Sequence, residues 1–189
     1  MRIVAGRHRG ARLAVPAGRD LRPTADRARE TLFNILAARP ACRLEGASVL
    51  DAFCGTGALA LEALSRGAAR AVLLDRDGAA LAAARGNIAK LGEETRATLL
   101  RRDIRRPGRA PGTADLVFLD PPYGKGLAEM GLAALDRAGW VAPGATVVVE
   151  IGRAEEFRPP AGYTVVDDRR IGAARLVILG AAAPSETAA

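Results

Sequence analysis

The segment from Val49 to Leu64, VLDAFCGTGALALEAL, constrains the fold of this chain more than any other part of the sequence. An apolar run leads into Asp51, Gly55 and Gly57 follow, and apolar residues then recur at the spacing of a helix face. This pattern predicts a strand, a tight glycine turn and a helix. Because glycine has no Cβ and adopts positive φ readily, such a turn lets a ligand approach the backbone amides at the start of a helix. The segment therefore predicts a nucleotide-type binding site.

The negative charge of Asp51 discriminates between the nucleotide ligands that this turn could bind. Gly55, Gly57 and Ala60 also match the dinucleotide fingerprint GxGxxG/A, but this match is weak by itself. An aspartate at the strand end would repel the pyrophosphate of NAD, whereas S-adenosylmethionine (SAM) carries an ammonium, a sulfonium and no phosphate. A P-loop is excluded because no lysine follows the glycines at the required position. The sequence favours SAM, with a purely structural strand, turn and helix as the alternative.

The length and composition limit the class of protein. With 189 residues the chain can form one domain with an extension, and it is too short for two full domains. No apolar run approaches the roughly 20 residues of a membrane-spanning helix, and the N-terminus lacks the apolar region of a signal peptide. Two cysteines without CxxC spacing and one histidine predict neither a metal site nor a disulfide. We therefore expect a cytoplasmic protein without a membrane segment.

The net charge of +7 predicts a polyanionic partner, and nucleic acid is the first candidate. A GC-rich coding bias would explain the choice of Arg over Lys, but it does not explain the excess of Arg over acidic residues. Basic residues are concentrated at the N-terminus, where apolar positions 3–4 and 13–15 flank a turn-prone stretch and predict a small hairpin. We expect its arginines to contact phosphates, with a solvated surface as the alternative. The predicted phosphate-contacting residues are Arg2, Arg7, Arg9, Arg12, Arg19 and Arg22.

Two further acidic residues follow predicted strands. Asp75 follows the apolar stretch 71–74 and lies near the spacing from Asp51 at which a second-strand carboxylate accepts hydrogen bonds from a ribose diol. Capping of the strand end is the alternative. Asp103 follows a third predicted strand, 97–100, and suits contact with an adenine amino group. The predicted cofactor-binding residues are Asp51, Phe53, Gly55, Thr56, Gly57, Asp75, Arg76 and Asp103.

The sequence Asp120-Pro121-Pro122-Tyr123 follows a fourth apolar strand, 115–119. Two consecutive prolines cannot continue a sheet ladder, so the segment after the strand is held rigid and extended. The Asp120 carboxylate and the Pro121 carbonyl can accept the two hydrogens of an exocyclic amine on a nucleobase, which directs the nitrogen lone pair towards an activated methyl group. Tyr123 can stack on the base. These four residues are the predicted catalytic set, with a proline-stiffened loop as the alternative.

The remaining pattern completes a predicted domain. It predicts a helix over 22–36 before the glycine turn, helices over 78–91 and 127–138, a buried strand over 145–151, and an antiparallel hairpin of strands 163–166 and 176–179 at the sheet edge. We predict a basic extension over residues 1–44, a catalytic domain over 45–181 and a frayed tail over 182–189.

Four segments, in this order, resemble the RsmD family of bacterial 16S ribosomal RNA (guanine-N2) methyltransferases: MRIVAG, RPTADRARETLFNIL, VLDAFCGTGALALEALSRGA and FLDPPY. The second segment is the discriminating one, since the glycine turn and DPPY occur in many methyltransferases. The resemblance implies an α/β, Rossmann-like class I methyltransferase fold with a seven-stranded doubly wound sheet and an antiparallel last strand. It also implies SAM as cofactor, S-adenosylhomocysteine as product and no metal.

The resemblance further implies transfer to the N2 amine of a guanine in small-subunit rRNA, either free or within an assembly particle, by a monomer that binds no membrane. An adenine-N6 DNA methyltransferase would use the same DPPY chemistry, but such enzymes usually need a recognition domain for which this chain has no room. A catalytically idle RNA-binding protein would keep the basic hairpin but would not need an intact DPPY. Cys54 replaces a residue that is often Ala in the family, and its expected place near the sulfonium predicts sensitivity to thiol reagents.

Overall fold

The computed structural model describes residues 1–15 and 23–183. Arg19 and Arg22 of the predicted phosphate-contacting set lie outside these residues, as does the predicted tail from residue 184 onwards. The strands are β1 Ser48–Ala52, β2 Arg70–Asp75, β3 Ala97–Arg101, β4 Ala114–Leu119, β5 Val141–Gly152, β6 Tyr163–Ile171 and β7 Ala174–Ala181. The helices are α1 Pro23–Ala37, α2 Ala58–Ser65, α3 Gly78–Leu91 and α4 Leu127–Arg137. In the described part of the chain, no helix is both long and apolar enough to cross a membrane.

The strands form one seven-stranded sheet in the order β3-β2-β1-β4-β5-β7-β6. The first five strands in the chain are parallel, and β7 lies antiparallel between β5 and β6. The predicted doubly wound sheet with an antiparallel last strand is therefore confirmed. The order reverses between β1 and β4, and the carboxyl ends of parallel strands at such a switch point form a crevice that binds ligands.

Strand residues alternate between two apolar cores, one on each face of the sheet. Val49, Leu73 and Phe118 pack on one face with α1, α2 and α3, whereas their neighbours Leu50 and Leu74 pack on the other face with α4. Successive side chains of a strand point to opposite faces, and strands covered on both faces are apolar throughout. This is why the central strands are continuous apolar runs in the sequence.

The predicted N-terminal hairpin is present, with an antiparallel bridge between Arg2 and Arg12. The Ile3 N–H donates to the Ala11 carbonyl at 2.9 Å. An isolated two-stranded hairpin is only marginally stable, so it needs a surface to pack on. Ile3 and Leu13 are buried in the core that contains α1, α2 and α3. The hairpin thus extends the core of the sheet domain and has no core of its own.

Strand boundaries differ from the prediction mainly in β5 and in the edge strand β6. β5 begins at Val141 and β6 continues to Ile171, although the prediction ended the latter strand at residue 166. The added part of β6, DDRRI, is polar and mostly exposed. An edge strand is held by backbone pairing to one neighbour, here β7, and does not require an apolar face, so the apolar pattern underestimates its length.

Candidate active site

The glycine turn after β1 adopts an unusual backbone conformation. Phe53, Gly55 and Gly57 all have positive φ, at 71°, 54° and 79°. Positive φ costs glycine little, but Phe53 is the one residue other than glycine that adopts it in the described part of the chain. Non-glycine residues are held in this region only where the surroundings over-determine it, and such positions cluster at functional sites. The Cys54 N–H donates to the Leu74 carbonyl at 2.9 Å and fixes the start of the turn to β2.

A cavity of about 790 Å³ opens at the carboxyl ends of β1 to β4. Small-molecule sites typically measure about 300–1,000 Å³. The cavity lies at the switch point of the sheet, and it brings together residues that the sequence assigned separately to a cofactor and to an amine. The predicted residues in its wall are Phe53, Gly55, Asp75, Arg76, Asp103, Asp120, Pro121, Pro122 and Tyr123.

Three predicted cofactor residues, Asp51, Thr56 and Gly57, are buried and lie outside the cavity wall. Asp51 Oδ2 accepts a hydrogen bond from the Ala60 N–H at 3.1 Å, which ties the end of β1 to the first turn of α2. Burial, with repulsion from Asp75, raises the pKa of Asp51 to about 7 despite this bond. These residues shape the glycine turn from behind.

Gly57 serves close packing at this position. A Cβ there would lie 2.8 Å from Leu73 Cδ2, so a larger residue would require the packing around Leu73 to shift, in addition to the strain of a positive φ. In the dinucleotide fingerprint, one glycine allows the helix to pack closely on the strand and another allows the backbone to approach the ligand. Gly57 corresponds to the packing glycine.

Asp75 supports the glycine turn through both carboxylate oxygens. Its Oδ2 accepts from the Gly55 N–H at 3.0 Å, and its Oδ1 accepts from the Asp77 N–H at 2.9 Å. Each oxygen of a carboxylate has a second lone pair, so both can accept a further hydrogen bond. Asp75 can therefore position the turn and contact a ligand hydroxyl at the same time.

Asp103 is held in the cavity wall by Arg105. The guanidinium of Arg105 donates to both carboxylate oxygens, with Nε 2.9 Å from Oδ1. These bonds hold the pKa of Asp103 well below its usual range. Asp103 is thus an anionic acceptor at physiological pH. Sequence reasoning did not assign Arg105 to the site. The available indication was its position two residues after Asp103, from which it can pair with that carboxylate.

Two glutamates near the end of β5 hold the DPPY segment, and sequence reasoning assigned neither to the site. The Tyr123 hydroxyl donates to Glu150 Oε1 at 2.7 Å. Glu155 Oε2 accepts from the Gly124 N–H at 2.9 Å and from the Gly152 N–H at 3.2 Å. β5 is the parallel neighbour of β4, so its carboxyl end adjoins Asp120. A single acid within the apolar strand TVVVEI was the indication for Glu150.

The pKa of Asp120 is raised well above its usual value. Its side chain reaches solvent through the cavity, but protein surrounds the carboxylate on its other sides, and this desolvation is the main cause. Repulsion from Glu150 and then Asp51 adds to it. A hydrogen-bond donor or a cation placed against Asp120 would offset both effects, so the site favours such a ligand.

The expected reactivity of Cys54 is wrong. The thiol is buried, and burial followed by repulsion from Asp51 and Asp75 raises its pKa. Thiol reagents attack the thiolate, so a buried thiol next to two carboxylates is inert.

The arginines of the hairpin differ in how free they are. Arg7 is paired with the buried carboxylate of Glu93 at 2.5 Å, and Arg2 lies 3.9 Å from Asp26. Arg9 and Arg12 are exposed, and neither pairs with a carboxylate among the described residues. Arg7 therefore anchors the hairpin to the domain, whereas Arg9 and Arg12 present exposed guanidinium groups.

The hairpin also contacts the back of the glycine turn through Asn87, which is fully buried on α3. Asn87 Nδ2 donates to the carbonyls of Ala14 and Thr56, each at 3.0 Å, and its Oδ1 accepts from the Ala14 N–H at 2.7 Å. One side chain thus connects the N-terminal extension with the turn that borders the cavity.

Known proteins are similar to this chain over most of its length. A family model described as "Conserved hypothetical protein 95" matches residues 1–180. "Ribosomal RNA small subunit methyltransferase D" of Escherichia coli is 42% identical over 151 residues, which cover 79% of this chain and 74% of that protein. The protein of that name from Haemophilus influenzae is 33% identical over 177 residues, 91% and 89% of the two chains. The solved structure of "Putative methyltransferase yhhF from Escherichia coli" has a TM-score of 0.81 at 36% identity and covers 97% and 98% of the two chains.

Proposed function

Since the chain belongs to the RsmD family of methyltransferases, we propose that it transfers a methyl group from SAM to the exocyclic N2 amine of a guanine in bacterial 16S rRNA. The observation that carries the proposal is the single cavity that holds both the acidic strand ends and the DPPY segment. A donor and an acceptor amine must share one site for direct transfer, and this cavity has residues suited to each.

The residues of the cavity fit SAM. Carboxylates of Asp75, Asp120 and Glu150 lie at or beside one side of the cavity, with Asp51 buried behind them. This concentration of negative charge suits an ammonium and a sulfonium and disfavours a pyrophosphate. Asp75 would accept hydrogen bonds from ribose hydroxyls, and Asp103 would accept from the adenine amino group. Phe53 and Ile104 add apolar wall.

The bound cofactor supplies an activated methyl group on a sulfonium, so the protein needs neither a metal nor a strong base. The protein's part is to hold the amine. The Asp120 carboxylate and the Pro121 carbonyl accept its two hydrogens, which favours a pyramidal nitrogen with a directed lone pair. The Glu150 carboxylate holds the Tyr123 hydroxyl, so the Tyr123 ring is positioned to stack on the base. Bonding to the amine also relieves the unfavourable environment of Asp120.

The choice of rRNA follows from the relatives and from charge. Two similar proteins are named as small-subunit rRNA methyltransferases. The net charge of +7 and the exposed guanidinium groups of Arg9 and Arg12 suit a phosphate backbone. The proposal includes a monomer that acts in the cytoplasm, on free rRNA or on an assembling small subunit, with S-adenosylhomocysteine as product.

The proposal is tested by incubation of the protein with labelled SAM and, separately, 16S rRNA, small-subunit assembly particles and DNA. The products are digested to nucleosides and identified by chromatography and mass spectrometry. We expect N2-methylguanosine from one or both RNA substrates. Label in N6-methyladenosine, or in DNA, would instead support the adenine-N6 alternative.

Replacement of Asp75 by Ala is expected to weaken SAM binding about tenfold or more. A hydrogen bond to a charged group contributes about 1.5–3 kcal/mol, and about 1.4 kcal/mol corresponds to a factor of ten in affinity. Isothermal titration calorimetry with SAM measures the change.

The variant Asp75→Ala also removes the acceptor for the Gly55 N–H, so the glycine turn itself is affected. An S-adenosylhomocysteine analogue without the ribose hydroxyls separates the two effects. The affinity of each ligand is compared between wild type and Asp75→Ala. If Asp75 contacts the ribose, the substitution weakens binding of the analogue less than binding of S-adenosylhomocysteine. Equal losses would show that Asp75 only supports the turn.

A further inference from the structure

The segment 101–109, RRDIRRPGR, is the most basic stretch of the described residues outside the hairpin, with five arginines and one acid. All five arginines are exposed. The single acid, Asp103, is occupied by Arg105. Among the described residues no carboxylate pairs with the other four, and the one contact with a backbone carbonyl is Arg101 Nε to Arg76 O at 3.3 Å. We call residues 101–109 the arginine segment.

The backbone of the arginine segment is held firmly in spite of this charge. Ile104 and Pro107 are buried between the exposed arginines, and Ile104 belongs to the core under α4. The Arg106 N–H donates to the Asp103 carbonyl at 2.8 Å, and Trp140 Nε1 donates to the Gly108 carbonyl at 2.8 Å. The guanidinium groups therefore project from a fixed support. Binding to such a surface loses less conformational entropy than binding to a flexible basic tail.

The arginine segment leads away from the cavity. Arg102 and Arg105 line the cavity, whose wall also contains Asp120 and Tyr123. The far end of the segment contacts Trp140, just before β5, at the opposite end of the parallel strands. The exposed arginines thus belong to a segment that starts at the cavity wall and extends towards the start of β5.

We infer that the arginine segment is a phosphate-binding surface that holds the RNA strand flanking the nucleotide in the cavity. The inference rests on the proposed function and names where the substrate is gripped. Guanidinium groups bind phosphates in a bidentate manner, and unpaired guanidinium groups do so without first breaking an ion pair. The hairpin offers two such groups among its described residues, Arg9 and Arg12, because Arg2 and Arg7 have acidic partners. The arginine segment offers four.

The chemistry also requires a grip close to the cavity. A base must leave its stack before its amine can reach Asp120, and this costs stacking and pairing free energy. Phosphate contacts next to the extruded nucleotide would hold the deformed backbone in place. A rigid row of arginines that begins at the cavity wall provides such contacts, whereas the hairpin packs on α2 and α3 behind the glycine turn.

The test compares two double variants with the same loss of charge. Arg101→Ala/Arg106→Ala removes two exposed guanidinium groups of the arginine segment. Arg43→Ala/Arg170→Ala removes two exposed groups elsewhere, one before β1 and one on the opposite edge strand β6. Binding of a fluorescent 16S rRNA transcript is measured by anisotropy over a series of NaCl concentrations. Thermal melting and SAM calorimetry confirm that each variant is folded and has an intact cofactor site.

We expect Arg101→Ala/Arg106→Ala to weaken RNA binding about tenfold and to reduce the slope of log affinity against log salt by about 1.4, since each phosphate contact on single strands contributes about 0.7. The control double variant is expected to change both quantities little. Equal effects of the two double variants would show general attraction and overturn the inference, as would unchanged affinity and slope in the first. Failure of the wild type to bind the transcript would overturn it as well.

Methyl transfer to the same transcript or to assembly particles is measured in parallel for the wild type and both double variants. RNA binding that depends on Arg101 and Arg106 without methyl transfer would contradict the proposed function and leave the phosphate-binding surface standing. Methyl transfer that is unchanged in Arg101→Ala/Arg106→Ala would contradict the phosphate-binding surface and leave the proposed function standing.

Discussion

Replacement of Asp120 by Ala is expected to reduce the rate of methyl transfer about 10²–10³-fold while most of the SAM affinity is retained. Asp120 is proposed to accept a hydrogen from the target amine and thereby to orient the lone pair. Removal of one preorganised polar group aimed at a reacting centre typically costs a factor of about 10²–10³ in turnover. Asp120 is one of several carboxylates at or beside the cavity, together with Asp75 and Glu150, so SAM should keep most of its affinity without it.

Single-turnover methylation of 16S rRNA measures the rate, and calorimetry measures SAM binding. Asp115→Ala is the matched control, because it removes an exposed aspartate near the other end of the same strand, where Asp115 Oδ2 accepts from the Ser48 N–H at 2.9 Å. The control should keep the wild-type rate. A near wild-type rate in Asp120→Ala would contradict the amine-orienting role.

The raised pKa of Asp120 adds a pH dependence to this prediction. The carboxylate is the better acceptor for an amine hydrogen, so the rate should fall as the pH is lowered through the raised pKa, which lies above the ordinary aspartate value of about 3.9. Asp120→Asn cannot titrate and should lack this acidic limb. The pH profiles of the wild type and of Asp120→Asn are compared at saturating SAM. A fall in rate at low pH that is present only in the wild type is assigned to Asp120.

Replacement of Glu62 by Ala is expected to lower the free energy of unfolding by about 3–5 kcal/mol, the usual cost of removing one partner of a buried ion pair. Glu62 is fully buried on α2 and accepts hydrogen bonds from the N–H groups of Val4 and Ala5 at 2.7 and 3.0 Å. It also pairs with Arg66 at 2.7 Å and with Arg29 at 3.5 Å. Without it, two backbone donors of the hairpin lose their acceptor, and the buried guanidinium of Arg29 loses one of its two carboxylate partners and keeps the other, Asp26.

Urea unfolding followed by circular dichroism measures this loss. Glu94→Ala, which removes an exposed glutamate just after α3, should stay within about 0.5 kcal/mol of wild type. A loss below about 1 kcal/mol in Glu62→Ala would show that the hairpin does not depend on this ionic contact.

The sequence by itself determined the sheet and the edge of the sheet at which the cavity lies, for reasons that are local or topological. Positive φ at Gly55 and the stiffness of Pro121 and Pro122 follow from residue type. Asp75 and Asp120 each follow an apolar strand, and the carboxyl ends of parallel strands meet at one edge of the sheet. The cavity that these residues line needed no knowledge of their side-chain contacts.

The tertiary structure alone decided which of two chemically equal side chains is free and which is engaged. Arg7 and Arg9 stand two apart in one basic run, but Arg7 pairs with Glu93, 86 residues away, and Arg9 is exposed. Asp51 and Asp75 both end strands, yet Asp51 faces the buried start of α2 and Asp75 faces the cavity. Apolar periodicity records how deeply a position is buried. It carries no information about the partner that a buried polar group finds, because that partner comes from a distant element brought close only by packing.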